Sequence, residues 1–317
     1  MTGSSAGGDL GQPAEPPLAR SAIDRAAARR TDPQWLADAW RRGRLLLISP
    51  AGRVLCSGKP ELVLVDPAEV PAVAEAERLF LGIGPDGTPY FAVVAELPER
   101  PGAHPMTLRE VGADLCDRDA GLFVTAAALA NWHAGHRYAP STGELTAVRD
   151  GGWLRVDGAG SQAFPRTDPA IIVLIHDGVA GPAGRCLLGH NAAWPVRGDG
   201  RRFFSTLAGF VEPGESAEAA VAREVSEEVG VVVSRLRYEG SQAWPFPGSL
   251  MLGFTGYADP AQPLRPDLSE IADARWFTRA EIGALLADPA DPAAPAGIGL
   301  PGAASIAHHL IRTWLTR

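Results

Sequence analysis

Short apolar runs broken by glycine, proline and aspartate fill the first third of this chain: RLLLIS, ELVLV, RLFLGI and YFAVVAEL, with PAGR and GPDGTPY among the breaks. The rhythm predicts strands and tight turns, hence a mostly β N-terminal domain over residues 19–135. Residues 1–18, MTGSSAGGDLGQPAEPPL, are small and polar without periodicity. They predict a disordered tail, because they bring too little apolar surface to offset the entropy of ordering. Residues 120–138, AGLFVTAAALANWHAGHRY, predict a helix leading out of the domain. Residues 136–166 turn glycine-rich and weakly apolar, as a hairpin-like linker would.

From 167 to 317 the pattern changes. A buried-looking strand in PRTDPAIIVLIHDG and a partner in RCLLGHN precede a glutamate-rich helical stretch. SQAWPFPGSLMLGFTGYA, ARWFTRAEIGALL and an amphipathic SIAHHLIRTWL follow, the last with Ile306, Leu310, Ile311 and Trp314 on one side. Strand, loop and helix, strand, helix in that order predicts an α/β sandwich.

Composition narrows the function classes. Apolar residues make up 46% and charged residues 21%, and the apolar run at residues 170–175 is far too short to cross a bilayer, so no membrane partner is expected. A net charge of −8 disfavours a broad grip on a nucleic-acid backbone, which needs a basic surface. The three cysteines, Cys56, Cys116 and Cys186, are widely spaced, and the chain opens with no secretion-signal pattern, so a reducing cytoplasm is expected.

The stretch GFVEPGESAEAAVAREVSEEVGV, residues 209–231, concentrates the chemistry. Ser216 is a good N-cap, Glu218 suits the positive end of a helix, and Gly230 suits the left-handed position past its end, which predicts a helix from 217 to about 229. At about 100° per residue, Val221, Val225 and Val229 make an apolar stripe, while Glu224, Glu227 and Glu228 share a neighbouring arc. Like charges three and four residues apart repel by a few tenths of a kcal/mol each, more where water is excluded, and a cation removes that cost. Hard carboxylate oxygens suit Mg²⁺ or Mn²⁺. A solvated glutamate face is the other reading of REVSEE taken alone.

The spacing of Gly209, Glu215, Arg223, Glu224, Val225, Glu227, Glu228, Gly230 and Val231 resembles the Nudix box without a departure. The resemblance implies a Nudix α/β/α sandwich whose helix carboxylates Glu224, Glu227 and Glu228 hold divalent ions on a substrate diphosphate. Arg223, counted here with the catalytic residues, and Glu215 are expected to tie the loop to the helix by an ion pair; Gly209 and Gly214 permit a backbone that a side chain would obstruct.

SQAWPFPGS, residues 241–249, resembles the SQPWPFPxS signature of the NADH pyrophosphatase branch of that family, departing at Ala243. Pro245 and Pro247 stiffen the loop, and Trp244 and Phe246 supply flat apolar surface. The resemblance implies substrate contacts from Gln242, Ala243, Trp244, Pro245, Phe246, Pro247, Gly248 and Ser249, with Phe164, Phe210 and Ala307 at further contact positions. It places the Ala208 carbonyl and Glu270 on metal. Relatives often carry a zinc ribbon whose cysteine positions align here with Ala139, Thr142, Val156 and Ala159; zinc needs converging Cys, His or carboxylate donors, so no structural zinc is expected. His133 and His136 are spaced like a metal pair, and ordinary polar or packing roles are expected for them.

The implied reaction is metal-dependent hydrolysis of NADH or NAD⁺ to nicotinamide mononucleotide and AMP, and of NAD caps on RNA 5′ ends. A water activated by the metals would give its proton to a glutamate, with Glu227 and Glu228 ahead of Glu224, and Glu270 also open. Two alternatives stand beside it: hydrolysis of ADP-ribose or dinucleoside polyphosphates, and nucleotide binding without turnover. The resemblance further implies a homodimer in which both chains shape the site.

Overall fold

The computed structural model describes residues 15–195, 198, 200–288 and 292–317. Residues 1–14 of the expected tail lie outside the described residues. The packed chain begins before residue 19, because Leu18 is buried in the N-terminal core and its N–H donates to Gln242 Oε1 at 3.1 Å.

Helix α1 (Pro33–Arg42) opens on Asp32, whose carboxylate accepts from the Trp35 N–H, with Pro33 in the first turn where no amide donor is needed. Six strands follow: β1 (Arg44–Ile48), β2 (Arg53–Ser57), β3 (Leu64–Val65), β4 (Leu79–Ile83), β5 (Pro89–Val94) and β6 (Ala103–Thr107). The sheet order is β4-β5-β1-β2-β6, with β3 also on β1; β1 and β5 are parallel and the other pairs antiparallel. A short α2 (Leu108–Val111) and a long α3 (Asp117–Gly135) complete this half.

Both faces of the sheet are covered, which is why its strands read as continuous apolar runs. Leu45, Leu47, Phe91 and Val93 pack with Ala39 and Trp40 of α1, while Leu46, Ile48, Tyr90 and Ala92 pack with Leu122, Phe123, Ala126 and Leu129 of α3. Helix α3 is thus a core element as well as the way out, and its Ala/Leu richness reflects burial on nearly every side. At about 1.5–3 kcal/mol per buried large apolar side chain, these contacts carry the stability of the half.

Residues 136–166 form a small antiparallel sheet of β7 (Ala147–Arg149), β8 (Leu154–Val156) and β9 (Gln162–Ala163). Side-chain bonds hold its shape. Buried Arg155 donates to Thr146 Oγ1 (2.6 Å) and Thr146 O (3.0 Å) and pairs with His133 Nδ1 (2.9 Å), whose Nε2 meets Gly152 O at 2.9 Å. Trp153 Nε1 donates to Phe80 O at 2.7 Å, tying the module to β4. His136 meets Trp132 O at 2.9 Å and stacks on the Trp132 ring. Both histidines have the ordinary polar roles expected of them.

The C-terminal half contains β10 (Asp168–His176), β11 (Arg185–Asn191), β12 (Arg202–Phe203), β13 (Leu207–Phe210), α4 (Ala217–Val229), β14 (Ser234–Trp244), β15 (Ser249–Tyr257), β16 (Ile271–Thr278), α5 (Arg279–Ala287), β17 (Ile298–Gly299) and α6 (Ile306–Thr316). The main sheet runs β14-β15-β10-β11-β16 with β13 also on β10; β10 and β15 are parallel. Alternation along β10 sends Ile171, Val173 and Ile175 toward Val221, Val225 and Val229 of α4, and Ile172 and Leu174 toward Ile306, Leu310 and Ile311 of α6. This is the α/β/α sandwich. Arg317 closes it with a two-pronged bond to the buried Glu239 carboxylate, at 2.8 and 2.9 Å.

Candidate active site

Helix α4 starts where the sequence places it: Ser216 Oγ accepts from the Ala219 N–H at 3.1 Å, and Gly230, at φ 71°, donates to Ser226 O at 3.0 Å. With the valine stripe on the sheet, the carboxylate arc lies at the edge of the core, and the three glutamates differ sharply in burial. Glu228 is 5% exposed, the Glu224 side chain 13% and the Glu227 side chain 60%.

Arg223 fastens the arc to the preceding loop. Its Nε and Nη2 donate to the two Glu215 carboxylate oxygens, both at 2.9 Å, and Nη2 also reaches Phe210 O at 2.9 Å. Nη1 donates to Glu224 Oε1 (2.9 Å) and Glu227 Oε2 (3.0 Å). One guanidinium therefore organises the loop and neutralises part of the carboxylate cluster. The same bonds hold the Glu215 carboxyl below its ordinary range.

Gly209 is required by close approach. A Cβ built there would fall on the Glu224 carboxylate, which lies against the β13 backbone. Glu228 is the most constrained group. It accepts from the Ala208 N–H, but Oε2 is buried with no partner among the described residues. Burial first, then the Glu224 and Glu270 charges, push its carboxyl up to about 8; burial likewise raises Glu224. Glu270, exposed at the end of the loop entering β16, is near enough to act on both.

This donor set fits a divalent ion. An orphaned buried oxygen, carboxylates whose charges oppose one another and hard oxygen chemistry all favour a cation at the arc. Among the described residues no three His, Cys, Asp or Glu side chains converge as a coordination sphere, and Glu224 and Glu227 are both bonded to Arg223.

On the α6 side of the sheet is a cavity of about 620 Å³ with Ala208 in its wall, and the Ala208 backbone N–H is its link to Glu228. Trp244, Trp194, Phe203, Met251 and Ser305 line it, and Arg109 enters from α2 in the other half. The Arg109 guanidinium carbon lies 4.5 Å from the Trp244 ring centroid and 4.1 Å from that of Phe246, and those rings meet edge-on at 4.9 Å. An arginine stacked on aromatics beside a cavity can take a phosphate on its free edge. Arg109, Trp194 and Phe203 escaped the sequence reading: each is a lone residue in an ordinary segment, and the fold alone brings it to the cavity.

The remaining sequence-predicted contacts separate into groups. Gln242 is buried with structural bonds, accepting from Leu18 and donating to Ala304 O at 2.9 Å, and Ala307 is buried in α6. Ala243, Pro245, Pro247, Gly248 and Ser249 line a smaller cleft of about 220 Å³ against α3, whose Asn131 donates to Pro245 O (2.8 Å) and Pro247 O (3.2 Å). Phe246 packs with the N-terminal core. Phe164 and Phe210 are 55% and 59% exposed and stand outside the larger cavity's wall. The aromatic loop therefore joins the two halves as well as presenting Trp244.

Comparison with known proteins agrees with both halves. Residues 166–296 match the NUDIX domain, and residues 37–132 match the NADH pyrophosphatase-like rudimentary NUDIX domain. The chain is 41% identical over 306 residues to the NAD-capped RNA hydrolase NudC of Mycobacterium tuberculosis (strain H37Rv), covering 94% of each chain. It is 36% identical over 212 residues to the human NAD-capped RNA hydrolase NUDT12, covering 63% of this chain and 43% of that protein. Against the solved NUDIX hydrolase of Nitrosomonas europaea, identity is 18% and the TM-score 0.35, over 44% of this chain and 77% of that one.

Proposed function

The chain belongs to the Nudix hydrolase family, and from that premise we propose that it hydrolyses the pyrophosphate of NADH and NAD⁺ to nicotinamide mononucleotide and AMP, and removes NAD caps from RNA 5′ ends. The observation that carries the reading is Ala208, which lines an aromatic-walled cavity of nucleotide size and whose backbone N–H donates to Glu228 of the carboxylate arc. In the proposed assignment Glu224, Glu227, Glu228, Glu270 and the Ala208 carbonyl hold Mg²⁺ or Mn²⁺. Bound there, the metal would neutralise the diphosphate and lower the pKa of a water.

The chain's own groups do the rest. Trp244 offers a flat face to a ring, and Arg109 opposes phosphate charge. Arg223 keeps the 209–216 loop on α4 so that the carboxylates stay in register. The water's proton goes to Glu227 or Glu228, and the variant that loses the corresponding limb of the pH–rate profile identifies which. Phe164 and Phe210, exposed and aromatic, are offered to the rings of the substrate, and a homodimer is expected in solution. Among the described residues no helix is long and apolar enough to cross a membrane, and a cytoplasmic setting is part of the same proposal.

The test is mass-resolved product analysis of NADH, NAD⁺, NAD-capped RNA and ADP-ribose, each incubated with Mg²⁺ or Mn²⁺, beside Glu227→Gln. Nicotinamide mononucleotide with AMP, or with 5′-monophosphate RNA, lost in the variant, supports the reading. Turnover of ADP-ribose alone would remove the NAD specificity and leave the family untouched. Light scattering of the purified chain settles the dimer.

A further inference from the structure

The N-terminal half has a large cavity of its own, about 520 Å³, between the start of α1, the β3–β4 connection and the β7–β8 turn. Its place in the fold is informative. Strands β3 and β4 hold the sheet positions that β13 and β14 hold in the other half, so residues 66–78 make the connection that elsewhere contains the carboxylate helix. Here the connection ends in Arg78, and the cavity wall adds Arg30 and Arg149. Glu75 and Asp150 are the carboxylates beside them.

None of the three arginines forms an ion pair among the described residues. Arg30 Nη2 donates to Arg25 O (3.2 Å), Arg78 Nε and Nη2 to Val73 O (3.2 and 2.8 Å), and Arg149 Nη1 to Val148 O (2.9 Å). Arg30 lies 3.6 Å from the Trp153 ring centroid, and its Nε is buried without a partner. Arg25 lies over the same ring at 5.8 Å. In a chain of net charge −8, three guanidinium groups against the two carboxylates of Glu75 and Asp150 leave this wall with a small excess of positive charge. The wall is also stiff: Gly151 and Gly152, at φ 59° and 90°, pack so closely that a Cβ would lie 2.9 Å from Phe80 Cβ and 2.6 Å from Leu79 Cδ2.

We infer that this cavity is a second ligand site, separate from the carboxylate arc, which takes a phosphate-bearing small molecule of mononucleotide size without a metal ion. The guanidinium edges match phosphate oxygens, Leu36, Ala37 and Phe91 give an apolar floor, and the volume lies in the usual ligand range. A small ligand fits better than an RNA strand because the arginines gather around one recess of limited volume.

Isothermal titration of the full chain in EDTA tests this, with AMP, inorganic phosphate, adenosine and a short 5′-monophosphorylated RNA as probes. AMP is expected to bind and to compete with phosphate, and adenosine is not. The Arg30→Gln/Arg149→Gln variant is expected to weaken AMP at least tenfold, with NADH cleavage unchanged. Arg149→Gln alone, at an exposed side chain, should weaken it about threefold, and Arg109→Gln should leave it unmoved. No AMP binding, equal affinity in wild type and both arginine variants, or binding of the RNA alone overturns the inference. Because the readout is metal-free binding, failure here leaves the hydrolase reading intact.

Discussion

In the N-terminal sheet the parallel pair is β1 and β5, flanked by β4 on one side and β2 and β6 on the other; in the C-terminal sheet it is β10 and β15, flanked by β14 and by β11 and β16. Strand for strand, in chain order and direction, the two sheets coincide, and even the short β3 on β1 has its counterpart in β13 on β10. They diverge most at one connection. Between β13 and β14 the chain builds α4 and stacks three carboxylates along it; between β3 and β4 it makes only the 3₁₀ turns at residues 67–69 and 75–77, and α1, from before the sheet, covers that face instead. A common scaffold therefore supports a metal-ready acidic edge in one half and a basic cavity in the other. The inserted helix, not the sheet, carries the acidic arc.

The sharpest way to break that comparison is Glu228→Gln, which removes the buried carboxylate of the arc. Hydrolysis is expected to fall by about 10³-fold or more, with the fold kept, as read by kcat and by thermal melting in EDTA. Gly209→Ala should cost about 10²-fold in kcat, because the new methyl group displaces Glu224 while the sheet register of β13 survives. A variant that keeps full activity would show that the close approach does not matter.

Contributions across the boundary come next in size. Arg109→Gln takes a guanidinium of the N-terminal half out of the larger cavity and is expected to raise KM for NADH about tenfold with kcat little changed. An effect on kcat alone would instead place Arg109 at the reacting phosphate.

His133 tests the stability of the boundary. Burial is the first cause that holds its imidazole down to about 4, against an ordinary 6.5, so the folded protein favours the neutral ring. This penalty on the charged ring is absent above pH 6.5 and grows as pH falls from there through about 4, where it lowers stability by up to roughly 3 kcal/mol. Melting temperatures across that window should drop less steeply in His133→Gln. The smallest effect is expected from Glu77→Gln, in the 3₁₀ turn of the connection that lacks a counterpart of α4: within about 0.5 kcal/mol in stability and none in turnover.

Local rules made much of the molecule legible in the amino-acid order. The Ser216 cap, the Gly230 terminator and the valine period specified α4 before any fold was seen, and the carboxylate spacing specified that the three glutamates share one arc, because a helix converts sequence separation directly into angular position. Strand rhythm marked both sheets for the same reason. Other features had no local signal. The likeness of the two sheets resides in hydrogen-bond partners far apart along the chain, and the two halves share no box to announce it.

The second lesson concerns burial. Sequence alone treats Glu224, Glu227 and Glu228 as three equal carboxylates, whereas packing against β13 leaves one in water, encloses another and raises the proton affinity of the enclosed one. In the same way, SQAWPFPGS read as a substrate loop, yet its glutamine faces Leu18 and Ala304 and its proline carbonyls face Asn131. Amino-acid order alone specified the helix, the angular grouping of its glutamates and the family. Only the tertiary structure decided which carboxylate is buried, which half supplies Arg109 and where the basic cavity lies, because desolvation and convergence depend on contacts between segments that no local period records.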